Sequence, residues 1–433
     1  MGRAILLLAS VATLAIMAGC SLCPHCRRCG VSCSGGPEPP LAAVERSSQE
    51  LAIQELAASV QPPEPPADLP APVDYRALSP QQCQCLAAKH APLADGLDTQ
   101  RRQLEQKESK KPCLREDKSA KQRAFQESML LYSALEIRDQ AAGTALEWYY
   151  QLAGAEAKAD LLNESLKEGR KTLEGVQGLK KQGLHLPAPI EEYQRQVVEL
   201  QLQETQNQLA IEQLNSKLRQ AIGQDSKTGR IWPDLRTPLG MENPPDVEAA
   251  VQLGLHQRPQ LLLLRSMIDN LDRDTLGSAR SFLQVLNPLL AMSSPGPNCK
   301  VLKILGKILH IQPGQEDEID RVRAQLSDYL RERERTVEAE IRETVYEIRA
   351  RRQATILARE AADSWQERIR NLEKQRAEGI RGVAELSKTY LDWYKARGEV
   401  VKEFVGWKIA VAKLKMAQGV LPAECGYTEC KKD

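Results

Sequence analysis

One run of 43 residues, Thr336 to Glu378, contains neither proline nor glycine and constrains the fold more than any other part of the chain. Its apolar residues recur at helical spacing, with arginine and glutamate between them: Val337, Ile341, Val345, Ile348, Trp365, Ile369 and Leu372. The pattern predicts one amphipathic helix, roughly 65 Å long at a rise of about 1.5 Å per residue. A helix of this length with a narrow apolar stripe is stable only when it packs against a partner.

The partner is the next part of the chain. The turn Gly379-Ile380-Arg381-Gly382 interrupts the first pattern, and residues 385–416 then carry a second helical pattern with its own apolar face. Glycine often ends a helix because it adopts the left-handed conformation without strain. The sequence therefore predicts a long antiparallel hairpin.

The same hairpin occurs twice in the chain. Three residues recur at an offset of 196 positions: Tyr150 and Tyr346, Gly183 and Gly379, and Gly223 and Gly419. In both copies an aliphatic residue follows the glycine of the turn, Leu184 in the first and Ile380 in the second. We therefore predict a mainly α fold built from two repeated long antiparallel helical hairpins.

These patterns divide the chain into six segments. We predict a signal peptide at 1–19, a cysteine-rich and proline-rich tether at 20–74, a first helical repeat at 75–223, a connector at 224–245, a second helical repeat at 246–419 and a C-terminal tail at 420–433. The connector is rich in proline and is expected to be irregular. Ser79 and Pro80 predict a helix start, since serine caps a helix and proline suits its first position.

The amino terminus has the features of an export signal. Arg3 precedes an apolar run from Ala4 to Met17, and Ala18-Gly19-Cys20 follows. Small residues directly before a cysteine resemble the bacterial lipobox, in which the cysteine is acylated and becomes the first mature residue. We predict that Cys20 is lipidated and attaches the protein to the outer membrane, facing the periplasm. An ordinary signal peptide cut nearby is the alternative.

Cysteines beyond this position suggest two chemistries. Four of them have the spacing of an iron–sulfur motif, except that serine follows where proline is expected: Cys23, Cys26, Cys29 and Cys33. An exported segment favours disulfides over a cluster. The same interpretation applies to Cys425 and Cys430, and the connectivity stays open. No metal site is predicted.

Charge and motif content exclude several functions. The chain has 59 Lys and Arg against 58 Asp and Glu, so nothing favours a nucleic-acid partner. It contains no glycine-rich phosphate loop, no G-x-S-x-G and no H-E-x-x-H motif, and its five histidines are scattered. We predict that the protein is not an enzyme and binds no cofactor. The abundant carboxylates are interpreted as solvated helix faces.

A family resemblance comes from the order of these elements. Arg258-Pro259-Gln260-Leu261 follows a short predicted helix, and the paired hairpins about Gly183 and Gly379 have similar endings. Together they resemble the outer membrane efflux family of TolC type over residues 75–420. The resemblance implies a homotrimer with a periplasmic α-helical barrel and an outer-membrane β-barrel. It also implies that a periplasmic adaptor protein and an inner-membrane transporter are the partners.

The resemblance further implies that the hairpin turns meet the adaptor, through Gly183-Leu184 and Gly379-Ile380. The chain departs from the family where the strands are expected. Spanning strands need about 9 to 11 residues of alternating character. Residues 101–119 are instead strongly charged, and residues 301–309 have helical spacing that suits an amphipathic helix on a membrane. We therefore predict that the β-barrel strands are reduced or absent.

Two functions follow from these expectations. The first is a TolC-like duct of the outer membrane that passes solutes with its adaptor and pump. The alternative is a non-conducting, structural coiled-coil lipoprotein of the envelope that acts as a spacer or scaffold. The family resemblance favours the duct, and the missing strands favour the spacer.

Overall fold

A computed structural model of the chain describes residues 75–108, 118–183, 189–225, 229–233, 241–286, 315–377 and 383–428. Within these ranges the chain forms two short strands and ten helices. In chain order they are β1 (Arg76–Leu78), α1 (Pro80–Lys89), α2 (Pro92–Glu108), α3 (Lys118–Lys181), α4 (Ile190–Ala221), β2 (Ile231–Pro233), α5 (Val247–Gln257), α6 (Pro259–Asp269), α7 (Leu276–Leu286), α8 (Gln315–Ala377), α9 (Val383–Gln418) and α10 (Leu421–Glu424).

The predicted mainly α fold with two long hairpins is confirmed. Helix α3 has 64 residues and α4 has 32. In the second repeat α8 has 63 residues and α9 has 36. The helix that the sequence predicts from residue 336 begins about 20 residues earlier in the structure, at Gln315. The described part of the chain holds only three residues in each of its two strands.

The predicted helix start at Ser79 is also confirmed. The Ser79 hydroxyl accepts a hydrogen bond from the backbone N–H of Gln82, and the Gln82 side chain accepts one from the backbone N–H of Ser79. This reciprocal pair satisfies two of the N–H groups that a helix leaves unpaired at its start. Pro80 occupies the first turn, where its missing N–H has no cost.

The connector is less irregular than the sequence predicts. Its residues Ile231 to Pro233 form β2, which pairs in parallel with β1. The side chain of Asn215 accepts a hydrogen bond of 2.8 Å from the backbone N–H of Ile231, and Tyr149 donates one of 2.8 Å to the carbonyl of Leu78. The prediction of an irregular connector was wrong for these residues. The strand is held by buried contacts with distant residues, and the proline content of the connector does not reveal such contacts.

The chain divides into two compact units, each of which takes segments from both repeats. The first comprises Pro92–Ile137 and Leu253–Ala339 among the described residues, and its core contains Phe125, Leu264, Met267 and Leu326. The second comprises the remaining described segments. One of its core clusters is built from residues of α1, α3, α4, the two strands and Ile222, which directly follows α4: Leu78, Cys83, Ala87, Ala145, Tyr149, Leu152, Ile211, Leu218, Ile222 and Ile231.

No helix among the described residues is both long and apolar enough to cross a membrane. The predicted signal peptide, the tether and the amphipathic segment at 301–309 lie outside the described residues. The segment predicted as a C-terminal tail begins with the short helix α10. The boundaries of the predicted segments remain predictions.

Candidate functional site

The contact between α3 and α9 joins the first repeat to the second within the second unit. The two helices run antiparallel and keep one register, since a step of 11 residues on α3 matches a step of 11 on α9. Gly143 faces Met416 and Gly154 faces Val405. A Cβ atom placed on Gly154 would lie 3.0 Å from the Cγ2 atom of Val405. Glycine thus allows the two backbones to approach closely.

A buried hydrogen bond continues this contact toward the hairpin turns. The hydroxyl groups of Thr172 on α3 and Ser387 on α9 lie 2.7 Å apart, and both side chains are buried. Thr172 is also bonded to the carbonyl of Glu168 in its own helix, at 2.9 Å. At these positions the contact between the repeats therefore pairs glycine with Met416 and Val405, and one small hydroxyl side chain with another.

A row of carboxylates lies along the same part of α3. Glu156, Asp160 and Glu164 are spaced four residues apart, which places them on one face of the helix. Glu164 forms an ion pair of 2.9 Å with Arg397 on α9. Glu156 is only 8% exposed. The sequence analysis interpreted such carboxylates as solvated, and for Glu156 that interpretation was wrong.

Burial changes the proton affinity of this row. It raises the pKa of Glu156 to about 7, and the guanidinium of Arg230 offsets part of this rise. It raises the pKa of Asp160 to about 6, with a further rise from the charge of Glu164 and an opposing effect of Arg397. The two carboxyl groups therefore change charge near neutral pH.

The contact between α8 and α9 has a different chemistry. Arg351 and Glu403 form an ion pair of 2.8 Å, and the Tyr390 hydroxyl donates a hydrogen bond of 2.6 Å to Glu373. A small apolar cluster of Ile369, Leu372 and Leu386 lies near the turn. Beside it, a polar groove is lined by residues of both helices: Ser364, Glu367, Arg368, Asn371, Gln375 and Glu385.

Only one of the four predicted adaptor-contact residues lies in a described part of the chain. Gly183 is exposed, has a φ of 73° and faces open space, as suits a glycine that ends a helix. Leu184, Gly379 and Ile380 lie outside the described residues. The contact of these turns with a partner remains a prediction.

Some of the cysteines lie in described parts of the chain and the others do not. The structure pairs Cys85 with Cys425 in a disulfide, with the two Cα atoms 5.1 Å apart. The side chain of Gln84 strengthens this closure by donating hydrogen bonds to the Leu421 carbonyl and to Glu424, at 3.3 and 2.9 Å. The other cysteines singled out in the sequence lie outside the described residues: Cys20, Cys23, Cys26, Cys29, Cys33 and Cys430.

Cys83 lies beside the disulfide residue Cys85 but remains a buried thiol. Burial raises its pKa to about 12, which keeps it protonated and unreactive. Across the described ranges, no group of three or more His, Cys, Asp or Glu is placed to hold a metal ion.

Sequence reasoning missed the residues that join the two repeats. The bonds between Thr172 and Ser387 and between Glu164 and Arg397 connect positions more than 200 residues apart. The signal that was available is the four-residue spacing of Glu156, Asp160 and Glu164, which marks one helix face. Tertiary packing determines which residues contact that face, and a local sequence pattern does not predict them.

No family model and no curated protein matches the sequence. Solved structures do match the fold. The open state of the MtrE outer membrane channel of Neisseria gonorrhoeae has a TM-score of 0.53 at 13% identity, over 78% of this chain and 88% of that chain. The CmeC outer membrane channel of Campylobacter jejuni has a TM-score of 0.51 at 12% identity, over 73% and 69%.

The outer membrane protein VceC of Vibrio cholerae has a TM-score of 0.50 at 12% identity, over 86% of this chain and 96% of that chain. The chain has a TolC-like fold. The resemblance to the TolC type is thereby confirmed at the level of the fold of the chain. In this TolC-like chain the α3–α9 contact joins the two hairpins, and it is the candidate functional site.

Proposed function

We propose that the protein is the outer-membrane duct of a transport assembly. Copies of the chain, three in number, surround a passage through which solutes leave the cell. The duct works with a periplasmic adaptor protein and an inner-membrane pump, and no catalytic activity forms part of the proposal. The observation that carries it is the likeness of the fold to solved outer-membrane channels.

The decisive experiment is an image of the full-length protein purified in detergent, together with its mass in solution. A hollow trimer is the expected result, because a duct needs a passage and a single chain of this fold offers only two hairpins. A solid rod or a monomer would contradict the duct and would support the alternative, a non-conducting spacer lipoprotein.

Lipidation of Cys20 is the proposed attachment to the membrane. The lipid anchor would hold the chain on the periplasmic face of the outer membrane. Cells are labelled with a fatty-acid analogue, and the wild type is compared with Cys20→Ala. We expect label on the wild type alone, and label retained by the variant would refute the assignment.

The two hairpin turns are the proposed contact with the adaptor. An aliphatic side chain at a polar tip, Leu184 in the first turn and Ile380 in the second, suits burial against a partner protein. Leu184→Asp combined with Ile380→Asp should abolish adaptor pull-down and leave helicity and melting nearly unchanged. Lys388→Asp, at an exposed position on α9, is the control. Unfolding of the double variant would show that these residues belong to the core.

A further inference from the structure

Helix α1 presents its two cysteines on different faces. Cys83 and Cys85 are two residues apart, which separates them by about 200° around the helix. Cys83 is 0% exposed, and its thiol donates a weak hydrogen bond of 3.8 Å to the carbonyl of Ala145 on α3. Cys85 is half-buried and forms the disulfide with Cys425. The helix therefore keeps one thiol in the core and directs the other toward the end of the chain.

The face of α1 that carries Cys85 is the face that contacts α10. Gln84, a polar residue that is nevertheless buried, bonds through its side-chain amide to the Leu421 carbonyl and to Glu424. Ala88 lies four residues after Gln84, on the same side of the helix, and packs in an apolar cluster with Leu421. The disulfide thus adds a covalent bond to a contact that already has polar and apolar parts.

Helix α10 lies against elements of both repeats. Leu421 is fully buried in a cluster that combines residues of α1, α3 and α9: Ala88, Ala142, Leu146 and Ala412. Lys415 on α9 forms an ion pair of 2.8 Å with Glu424. The guanidinium of Arg138 on α3 lies 4.3 Å from the centre of the Tyr427 ring. The place where α10 binds therefore exists only after α1, α3 and α9 have packed together.

The pairing of the cysteines indicates when the bond forms. Helix α10 has four residues, too few for a helix to be stable by itself. Cys425 is 340 residues from Cys85 in the sequence but only five from Cys430. In an unfolded chain the short loop costs less entropy to close than the long one. A bond between Cys425 and Cys85 therefore requires that the fold first brings these two residues together.

We propose that a thiol–disulfide oxidoreductase of the cell envelope oxidises Cys85 and Cys425 in the folded chain. Helix α1 selects this pair by keeping Cys83 in the core, and the new bond fixes α10 against the second unit. The reaction requires export of the chain to an oxidising compartment, but it does not require that the protein is a duct.

The reaction has two exchange steps. The Cys425 thiolate attacks the disulfide of the oxidoreductase, and one sulfur of that disulfide leaves as a thiolate. The Cys85 thiolate then attacks the Cys425 sulfur of the mixed disulfide, which forms the internal bond and releases the oxidoreductase as a dithiol. Two electrons pass to the oxidoreductase, and its two thiols take up the two protons that the cysteines lose. Cys425 reacts first because its segment is accessible until α10 is docked.

The first test traps the mixed disulfide. Cys85→Ser removes the thiol that completes the exchange, and Cys430→Ser in the same chain removes the nearest substitute. The full-length variant is exported, its thiols are alkylated at lysis, and mass spectrometry identifies what is bound to Cys425. We expect an oxidoreductase adduct at least about tenfold more abundant than with Cys430→Ser alone. The absence of an adduct, or an internal bond between Cys83 and Cys425, would overturn the proposal.

Two matched controls use the same Cys430→Ser background. Cys83→Ser keeps a donor for the Ala145 carbonyl, so this variant should form the internal bond and accumulate no adduct. Cys425→Ser lacks the thiol that attacks first and should also accumulate no adduct. An adduct on Cys85 in that variant would contradict the proposed order, and equal adducts in all variants would show that the reaction is not selective.

The second test asks whether the fold selects the pair. Reduced full-length protein is treated with oxidised glutathione, a small disulfide, either in its folded state or in concentrated urea, and the bonds are mapped by mass spectrometry. Cys83 should enter disulfides at least about tenfold more in urea, because burial makes a thiol unreactive. The folded protein should form the bond between Cys85 and Cys425. Equal participation of Cys83 in both conditions would refute selection by α1.

The third test measures how the bond affects α10. Four backbone N–H groups donate hydrogen bonds within this segment: those of Glu424, Cys425, Gly426 and Tyr427. Reduction of the full-length protein with dithiothreitol should speed their hydrogen exchange at least about tenfold. The N–H of Ile231, bonded to Asn215, is the control and should exchange at an unchanged rate. Unchanged exchange in α10 would show that the other contacts hold this helix without the disulfide, and would overturn its assigned role.

Discussion

Helix α9 packs against α3 on one side and against α8 on another, and the two contacts differ in kind. On the α3 side glycine, threonine and serine make close contacts, with Gly154 against Val405 and a buried bond between Thr172 and Ser387. One ion pair, Glu164 with Arg397, lies beside them. On the α8 side the contact includes ion pairs such as that of Arg351 with Glu403, whose side chains are 39% and 16% exposed. The tightest steric fit of α9 is thus toward α3, at Gly154 and Thr172, whereas on the α8 side the ion pair of Arg351 is joined by an apolar cluster near the turn.

The difference shows which contact determines the arrangement of the two repeats. Close packing leaves no room for an added atom, so the α3–α9 contact fixes one register and one distance. Partly exposed ion pairs adapt to small shifts and contribute little to stability individually. The join between the repeats should therefore be sensitive to side-chain volume, while the α8–α9 hairpin should tolerate substitution.

The largest effect is expected from Gly154→Leu. A bulky side chain at this position has to displace Val405, whose branched side chain is stiff and belongs to the adjacent helix. We expect a loss of about 3 kcal/mol in the free energy of unfolding. Denaturant unfolding followed by circular dichroism measures it.

The matched control is Gly175→Leu on the same helix. Apart from its chain neighbours and the backbone of its own helix, no atom lies within 4 Å of a Cβ placed on Gly175. The control should be stabilised by somewhat under 1 kcal/mol, because leucine favours a helix more than glycine does. If Gly154→Leu behaved like this control, the α3–α9 contact would not be closely packed.

A smaller effect should come from the carboxylate row beside this contact. Burial raises the pKa of Glu156 from 4.5 to about 7 in the folded protein. A carboxyl group with a raised folded pKa stabilises the fold at low pH, and that stabilisation is lost as pH rises toward the folded pKa. Glu156→Gln should therefore match the wild type near about pH 4 and exceed it by on the order of 2 kcal/mol near about pH 8.

Thermal unfolding of both proteins across this pH range is the measurement. Glu174→Gln, at an exposed position on the same helix, is the control and should show no such difference. A constant difference between Glu156→Gln and the wild type at all pH values would indicate a change in packing, and the assigned effect of burial on the carboxyl group would be wrong.

The helices could be predicted from sequence because their signals are local. Apolar residues at helical spacing mark α8 and α9, and the caps at Ser79 and Gly183 mark where helices begin and end. The strand β2 was missed because its partner β1 lies about 150 residues earlier in the chain. Its three residues contain no alternation long enough to indicate a strand.

The candidate site was less predictable than the fold. Helix propensity alone suggests that Gly143 and Gly154 weaken α3. Only the positions of Met416 and Val405 show that these glycines allow α9 to pack closely against α3. The disulfide of Cys85 was equally hidden, since its partner Cys425 is 340 residues away. The sequence shows which residues are present, but the glycine contacts and the disulfide depend on which distant residue packs against each of them.

The smallest effect is expected on the other side of α9, from Arg351→Met. Methionine keeps much of the apolar stem of arginine but removes the ion pair with Glu403 and the weaker one with Glu347, 3.8 Å away. Because these side chains are partly exposed, the loss should be below about 1 kcal/mol and should shrink further in about 1 M salt. Arg370→Met, at an exposed position on α8, controls for the loss of charge alone. Urea unfolding at low and high salt measures both variants. A loss as large as that of Gly154→Leu, and unaffected by salt, would mean that charge holds α9 as firmly as close packing does, and the contrast between its two sides would disappear.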